Sequence, residues 1–404
     1  MNVPPPSSDP DADLANAQAE EGRPTDDDES GETDQPWFDV GADKVRLLRD
    51  GAQAFPAMLD AIHHAEREVL LEMYWIGADS CGERFRDALM ARARAGVQVK
   101  VIYDAVGSLG ITESWWQPLR SAGAEVYEYH SLFPLAQSFQ LDRVEQRDHR
   151  KLLVVDDTIA FTGGINLSDP WLPIEQGGDG WRDDAVAVRG PCVEEFRALF
   201  YETWRRITRT LRPRDVPPFP RRRVRPVWVL ANNWRRRRSI RREYVIRIAN
   251  ARQSVDIANS YFVPDGGVRR AMFRAASRGV RVRVLVPARG DVPIVQFAVE
   301  ATFEQLLRHG VEVYALPGPI LHSKIAIVDE TFATIGSYNL DERSWRKNLE
   351  VNLAVEDSAF ARHVRRWYEH DLARALPIDL ATWRQRGTLR RGMEWVAFAM
   401  RKLW

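Results

Sequence analysis

Short apolar runs rich in Val, Ile and Leu recur along the chain: "VLLEM" (69–73), "VKVIY" (99–103), "LLVV" (152–155), "VRVLV" (282–286) and "IAIV" (325–328). Runs of this length and composition suit strands buried on both faces. Between them, "RFRDALMARARAG" (84–96) and "GVRRAMFRAASRG" (267–279) repeat apolar residues at helical spacing and stop at glycine, which predicts basic amphipathic helices.

The pattern occurs twice. "AEREVLLEMYWI" (65–76) parallels "ARQSVDIANSYF" (251–262), the helix-turn-strand stretches 84–104 and 267–287 match, and "AGAEVYEY" (122–129) matches "HGVEVYAL" (309–316). Each half therefore predicts strand, helix, strand, helix, strand, an order that builds a largely parallel sheet flanked by helices. The closest parallel joins "HRKLLVVDDTIAFTGGINLSD" (149–169) to "HSKIAIVDETFATIGSYNLDE" (322–342) without a gap, both reading H-x-K-x4-D-x6-G-[GS]-x-N.

Alternation along a strand sets His149 and Lys151 on one face, and likewise His322 and Lys324. The apolar residues that follow anchor each strand, so the polar pair lies at an edge or cleft. Asp156-Asp157 and Asp329-Glu330 predict turns. Gly163-Gly164 and Gly336-Ser337 remove bulk so that a ligand or the other half can approach, and Asn166 and Asn339 offer amide donors. Two such edges face to face gather two His, two Lys and two Asn, which fits a phosphate. Lys and Asn donors stabilise the equatorial oxygens of a phosphodiester. One neutral imidazole attacks phosphorus while the other, protonated, serves the leaving and entering alcohols. A carboxylate on the far ring nitrogen fixes the tautomer; Asp183 or Asp184, and Glu350, are the candidates.

Charge is uneven. Lys+Arg and Asp+Glu both total 57 in 404 residues, yet positions 1–36 hold eleven acids against Arg23 alone, so this segment carries −10 and the rest +10. The acidic stretch predicts disorder; the basic remainder suits an anionic partner. Two cysteines, Cys81 and Cys192, supply neither a disulfide framework nor metal-ligand spacing and fit a reducing compartment. No secretory signal and no apolar run of about 18 residues is visible, so no transmembrane segment is expected. His63, His64, His130, His309, His363 and His370 read as surface or structural.

The duplicated H-x-K-x4-D set resembles the phospholipase D superfamily, and the stretches 45–75, 181–193, 259–265 and 321–355 are similar to bacterial cardiolipin synthases of the type lacking transmembrane helices. The likeness spans roughly residues 40 to 380. It implies two similar α/β/α halves with mixed, largely parallel sheets about a pseudo-two-fold axis, one site at their interface, a covalent phosphohistidine and neither metal nor other cofactor. It implies a catalytic set of His149, Lys151, Asp156, His322, Lys324 and Asp329, with His149 as nucleophile and His322 as acid/base. Asn166, Asn339, Gly164 and Ser337 then serve substrate binding, and Asp183 and Glu350 support the imidazoles. The implied activity transfers a phosphatidyl group to phosphatidylglycerol, with phosphatidylglycerol or phosphatidylethanolamine as donor; the rivals are a hydrolytic phospholipase D and a phosphodiesterase nuclease. Nucleic acid is not expected as a partner.

The expected organisation is an acidic tail (1–36), an N-terminal half (37–215), a basic linker with the first strand of the second half (216–242), a C-terminal half (243–382) and a basic amphipathic tail (383–404). Repeat one carries fourteen extra residues in 130–148, where Leu132, Phe133, Leu135 and Phe139 suggest a lipid-entry lip. Arginine clusters in 221–242, and the mixture of Trp395, Phe398, Met400, Leu403 and Trp404 with Arg390, Arg391, Arg401 and Lys402, suit an anionic membrane surface. The expected location is peripheral, on the cytoplasmic face of a bacterial cell membrane.

Overall fold

The structure, a computed structural model, describes residues 35–131, 146–211, 225–233 and 239–401. The acidic segment before Gln35, the four apolar residues of the 130–148 insertion, the arginine runs at 221–223 and 235–238, and residues 402–404 lie outside them.

The first half runs β1 (Phe38–Val40), β2 (Asp43–Arg49), α1 (Asp50–His63), β3 (Glu68–Met73), α2 (Ser80–Arg94), β4 (Gln98–Asp104), α3 (Glu113–Ser121), β5 (Glu125–Tyr129), β6 (Lys151–Val155), β7 (Ile159–Gly163), β8 (Asp184–Arg189) and α4 (Val193–Thr208). The second runs β9 (Val227–Asn232), α5 (Ser239–Asn250), β10 (Ser254–Asn259), α6 (Gly266–Ser277), β11 (Arg281–Pro287), α7 (Pro293–Arg308), β12 (Val311–Leu316), β13 (Lys324–Val328), β14 (Phe332–Gly336), α8 (Glu342–Arg346), β15 (Glu350–Val355) and α9 (Ser358–Ala373). β16 (Leu376–Pro377), α10 (Leu380–Arg384) and α11 (Thr388–Ala399) complete it.

Local chemistry explains the boundaries. α2 begins where the Asp79 carboxylate accepts from Gly82 N, and α6 where Asp265 accepts from Gly267 N (3.0 and 2.7 Å). The hairpin residues Asp156, Asp157, Asp329 and Glu330 all have positive φ, 52–56°, the handedness that tight hairpins require. Asp tolerates this conformation better than most residues, because its side chain can bond nearby backbone.

Each half forms an eight-stranded mixed sheet, β1-β2-β8-β7-β6-β3-β4-β5 and β16-β12-β11-β10-β13-β14-β15-β9. β3-β4-β5 and β10-β11-β12 are the repeated strand-helix units and pair in parallel. The parallel share is smaller than the sequence suggested, because the histidine-bearing hairpins β6-β7 and β13-β14 and their neighbours β8 and β15 pair antiparallel. A hairpin returns the chain at once, with no crossover helix to enforce parallel order.

The halves share one core. Phe196, Leu199 and Trp204 of α4 and Phe360, Val364 and Tyr368 of α9 pack among Leu152, Val154, Ile325 and Ile327 of the two sheets. At the seam the backbones also pair. Asp148 bridges Leu349, and Arg182 bridges Leu321, both in parallel. Hydrogen bonds run from His149 N to Leu349 O (3.0 Å) and from His322 N to Arg182 O (2.7 Å). A buried ionic knot lies beside this contact: Arg182 donates to Asp371 (2.9 Å), Asp184 (3.0 Å) and Asp50 (3.3 Å), and Arg49 donates to Asp371 (2.9 Å). Burial opposes the Arg182 charge, but the carboxylates of Asp184, Asp371 and Asp50 outweigh it and hold the guanidinium ionised. Removing one member strands buried charge, so Arg182→Ala is expected to cost roughly 3–5 kcal/mol, read as a lower midpoint in urea unfolding.

Candidate active site

The seam sets each histidine against a carboxylate of the opposite half. Because Asp148 bridges Leu349, the next residues, His149 and Glu350, are neighbours, and Nδ1 of His149 lies 3.1 Å from Glu350 Oε2. Because Arg182 bridges Leu321, His322 meets Asp183, with Nδ1 2.7 Å from Oδ2. An ionised carboxylate only accepts, so beside Asp183, and beside Glu350 when it is ionised, Nδ1 carries the proton and Nε2 is the free, nucleophilic nitrogen in the neutral ring. Both histidines are 5–9% exposed.

The supporting residues follow from the repeat. Lys151 Nζ donates to His149 O (2.9 Å), and Lys324 Nζ donates to His322 O and to Ser260 Oγ (3.0 Å). The amide oxygens of Asn166 and Asn339 accept from Trp75 N (3.2 Å) and Ser260 Oγ (3.0 Å), which leaves the amide N–H groups for a ligand. Of the two candidates in "WRDDAV", Asp183 meets the imidazole, while Asp184 takes Arg182 and Ser323 Oγ (2.6 Å).

One expectation is corrected. Asp156 and Asp329 end strands β6 and β13, about seven residues or roughly 20 Å from the histidines. Asp156 accepts from the backbone N–H groups of Glu66, Arg67 and Glu68 (2.5–2.8 Å), and Asp329 from those of Arg252, Gln253 and Ser254 (2.7–3.1 Å). They tie their hairpins to the starts of β3 and β10. Gly164 and Ser337 serve carboxylates: a Cβ at Gly164 would stand 2.2 Å from Asp183 Oδ1, and Ser337 Oγ donates to Glu350 Oε2 (2.5 Å).

The sequence reading missed Trp171, Tyr74 and Ser260. Trp171 Nε1 donates to Asp183 Oδ2 (2.9 Å), and its ring and that of Trp181 flank His322. The aligned repeats held a signal, since Tyr74 falls opposite Ser260 in a strand that otherwise matches.

The electrostatics are unequal. Burial, then Lys151, Lys324, His322 and Arg343, push His149 well below its ordinary value. Burial and Lys324 lower His322, but Asp183 opposes them. Asp183 itself is buried, yet His322, Lys324 and Trp171 hold it below the usual carboxylate range. Burial raises Glu350 to about 7 against the pull of Lys151. His149 therefore favours the neutral form, and His322, beside a firmly ionised carboxylate, more readily holds a proton. The charges that lower His149 thus come from both halves, with both lysines and His322 among them.

Two histidine-lysine pairs converging at the seam of a duplicated α/β fold define the phospholipase D class of phosphodiester-transfer enzymes. The family "Cardiolipin synthase, PLD-like domain" matches residues 58–190 and 244–372. A cardiolipin synthase of Geobacillus sp. (strain WCH70) is 33% identical over 85% of this chain and 69% of its own length. Cardiolipin synthase 1 of Bacillus anthracis is 31% identical over 87% and 70%. The crystal structure of phosphatidylserine synthase from Haemophilus influenzae Rd KW20 superposes with a TM-score of 0.71 at 12% identity, covering 92% of this chain and 96% of that one, and shows the same fold. The chain belongs to the cardiolipin synthase family of phospholipase D-like enzymes, and is a phospholipid transphosphatidylase.

Burial lowers Lys151 to about 7 and Lys324 to about 8, so the cations needed for an anionic substrate are lost as pH rises through these values. The free-enzyme profile, kcat/KM, is expected to fall between about pH 7 and 8, whereas the kcat profile extends to higher pH because bound phosphate holds the protons; initial rates across pH test this. Asp156→Ala is expected to cost roughly 2–4 kcal/mol through its lost backbone bonds, while kcat of the folded enzyme stays within about twofold, checked by unfolding and single-substrate kinetics.

Proposed function

We propose that the enzyme makes cardiolipin by moving a phosphatidyl group onto phosphatidylglycerol through a phosphohistidine. The observation that carries this reading is the crossed pairing of each imidazole with a carboxylate of the other half, which leaves both Nε2 atoms for chemistry. Neutral His149 attacks phosphorus; the N–P bond forms as the bond to the leaving oxygen breaks, and protonated His322 gives that alkoxide its proton. A hydroxyl of phosphatidylglycerol then enters, His322 takes its proton, its oxygen bonds phosphorus, and the N–P bond breaks to restore His149. Lys151, Lys324, Asn166 and Asn339 hold the equatorial oxygens throughout. Phosphatidylglycerol or phosphatidylethanolamine serves as the donor.

Such a substrate requires contact with a bilayer, and α11 suits that task. Leu389, Met393, Val396 and Met400, spaced 4, 3 and 4 residues apart, form one exposed apolar stripe beside Trp395, which is 71% exposed. The adjoining face buries Ala397 and Glu394, with Arg390 paired to Glu300 of α7. An apolar face fixed on a folded body and flanked by arginines supports peripheral binding to an anionic membrane. Among the described residues no helix is long and apolar enough to cross one. The free cysteines, both buried, fit the cytoplasmic side.

Thin-layer analysis after incubation with labelled phosphatidylglycerol is expected to show cardiolipin and released glycerol; phosphatidic acid as the sole product would make the enzyme a hydrolase. His149→Ala is expected to lower turnover by at least about a thousandfold. Leu389→Glu with Trp395→Glu is expected to weaken sedimentation with anionic vesicles by about tenfold or more, while turnover of a detergent-dispersed substrate persists.

A further inference from the structure

Matched halves should present matched histidines, and the contacts of the two lysines show where the symmetry fails. Lys324 spends two of its three N–H bonds on protein, one on His322 O and one on Ser260 Oγ. Ser260 in turn donates to Asn339 Oδ1, so in the second half a lysine, a serine and an asparagine form a chain. In the first half Tyr74 occupies the serine position. Among the described residues Lys151 makes one hydrogen bond, to His149 O, and its ammonium lies 4.8 Å over the Tyr74 ring. The same ring meets the His149 imidazole edge to face, with centroids 4.7 Å apart and planes at 64°. Its backbone is fixed as well, since Tyr74 N donates to Arg150 O (3.0 Å), between the two residues its ring contacts.

We propose, resting on the reading that His149 is the nucleophile, that Tyr74 is the positioning residue that makes the two histidines unequal. Its ring seats His149 out of water and holds the Lys151 ammonium by its π face, so that two lysine N–H bonds stay free for the phosphate. A hydroxyl at this position, as in the second half, would instead take one of those bonds and leave the imidazole face to solvent. An aromatic face attracts a cation without consuming a donor, which is why a tyrosine and a serine at matched positions produce different lysines. On the other side of the site, His322 is flanked by Trp171 and Trp181, and Trp171 is tied to Asp183. That arrangement stabilises the charged imidazole through its carboxylate and suits a proton carrier.

The groups facing His149 are Lys151 on β6, Lys324 on β13, His322 before β13, Arg343 on α8 and Glu350 on β15. Asp104 on β4 and Arg147 also act on Tyr74. None of these is altered by replacing Tyr74. With the ring gone, water reaches His149, and the imidazole moves up toward its ordinary value of about 6.5.

The test compares Tyr74→Ser, which copies the second half, with Tyr74→Phe, which keeps the ring. Tyr74→Ser is expected to shift the acid limb of kcat/KM upward by about one pH unit and lower kcat about tenfold. Tyr74→Phe is expected to keep the limb at its wild-type position. An unshifted limb in Tyr74→Ser, or an equal shift in Tyr74→Phe, overturns the proposal. If Tyr74→Ser does not fold, Tyr74→Ala, which likewise removes the ring and admits water, takes its place with the same expectations. Alkaline quenching, in which a P–N bond to histidine survives, followed by peptide mapping of the covalent intermediate tests the underlying reading separately: the phosphoryl group on His322 in the wild type overturns the nucleophile assignment itself. Phosphate on His149 with an unmoved limb removes only the role of Tyr74.

Discussion

Two short backbone bridges, Asp148 with Leu349 and Arg182 with Leu321, set everything that follows. They fix a register between the halves, and the register brings His149 to Glu350 and His322 to Asp183. A shift of one residue would turn each imidazole toward the wrong face, because side chains alternate along extended chain. Burying four ionisable groups at such a contact is costly unless each finds its partner, so the chemistry and the docking of the halves are one problem. The neighbouring knot of Arg49, Arg182, Asp184 and Asp371 solves it on one flank and the shared core between α4 and α9 on the other.

Much of this was legible in the residues themselves. The matched segments located both hairpins, both lysines and the asparagines, and the acidic position in "NLEVNLAV" pointed to Glu350. What the residues could not reveal was which half supplies which partner, since a crossed and an uncrossed arrangement have the same composition. Nor could the motif separate its own members by role. Asp156 and Asp329 recur as faithfully as the histidines, but they recur because both hairpins need a left-handed turn and a carboxylate to gather three backbone N–H groups. Gly164 and Ser337 illustrate the same limit, with the space or hydroxyl they provide serving a neighbouring carboxylate. The parallel fraction of the sheets was overestimated because the helix-bearing repeats dominate the pattern while the hairpins occupy the centre.

The departures from symmetry carry as much information as the repeat. Tyr74 opposite Ser260, Gly164 opposite Ser337 and Asp183 opposite Glu350 all fall within the ring of side chains around the two imidazoles. Each changes how charge is held without changing the backbone. A duplicated scaffold can in this way keep its packing intact while its two halves take different parts in one reaction.

The exchange of carboxylates across the seam also bears on how the chain comes into being. Synthesis delivers His149 about two hundred residues before Glu350, so a growing polypeptide holds a histidine whose counterpart does not yet exist. Until then the imidazole lacks the carboxylate that fixes its tautomer. Maturity, here, is signalled by the closing of a seam.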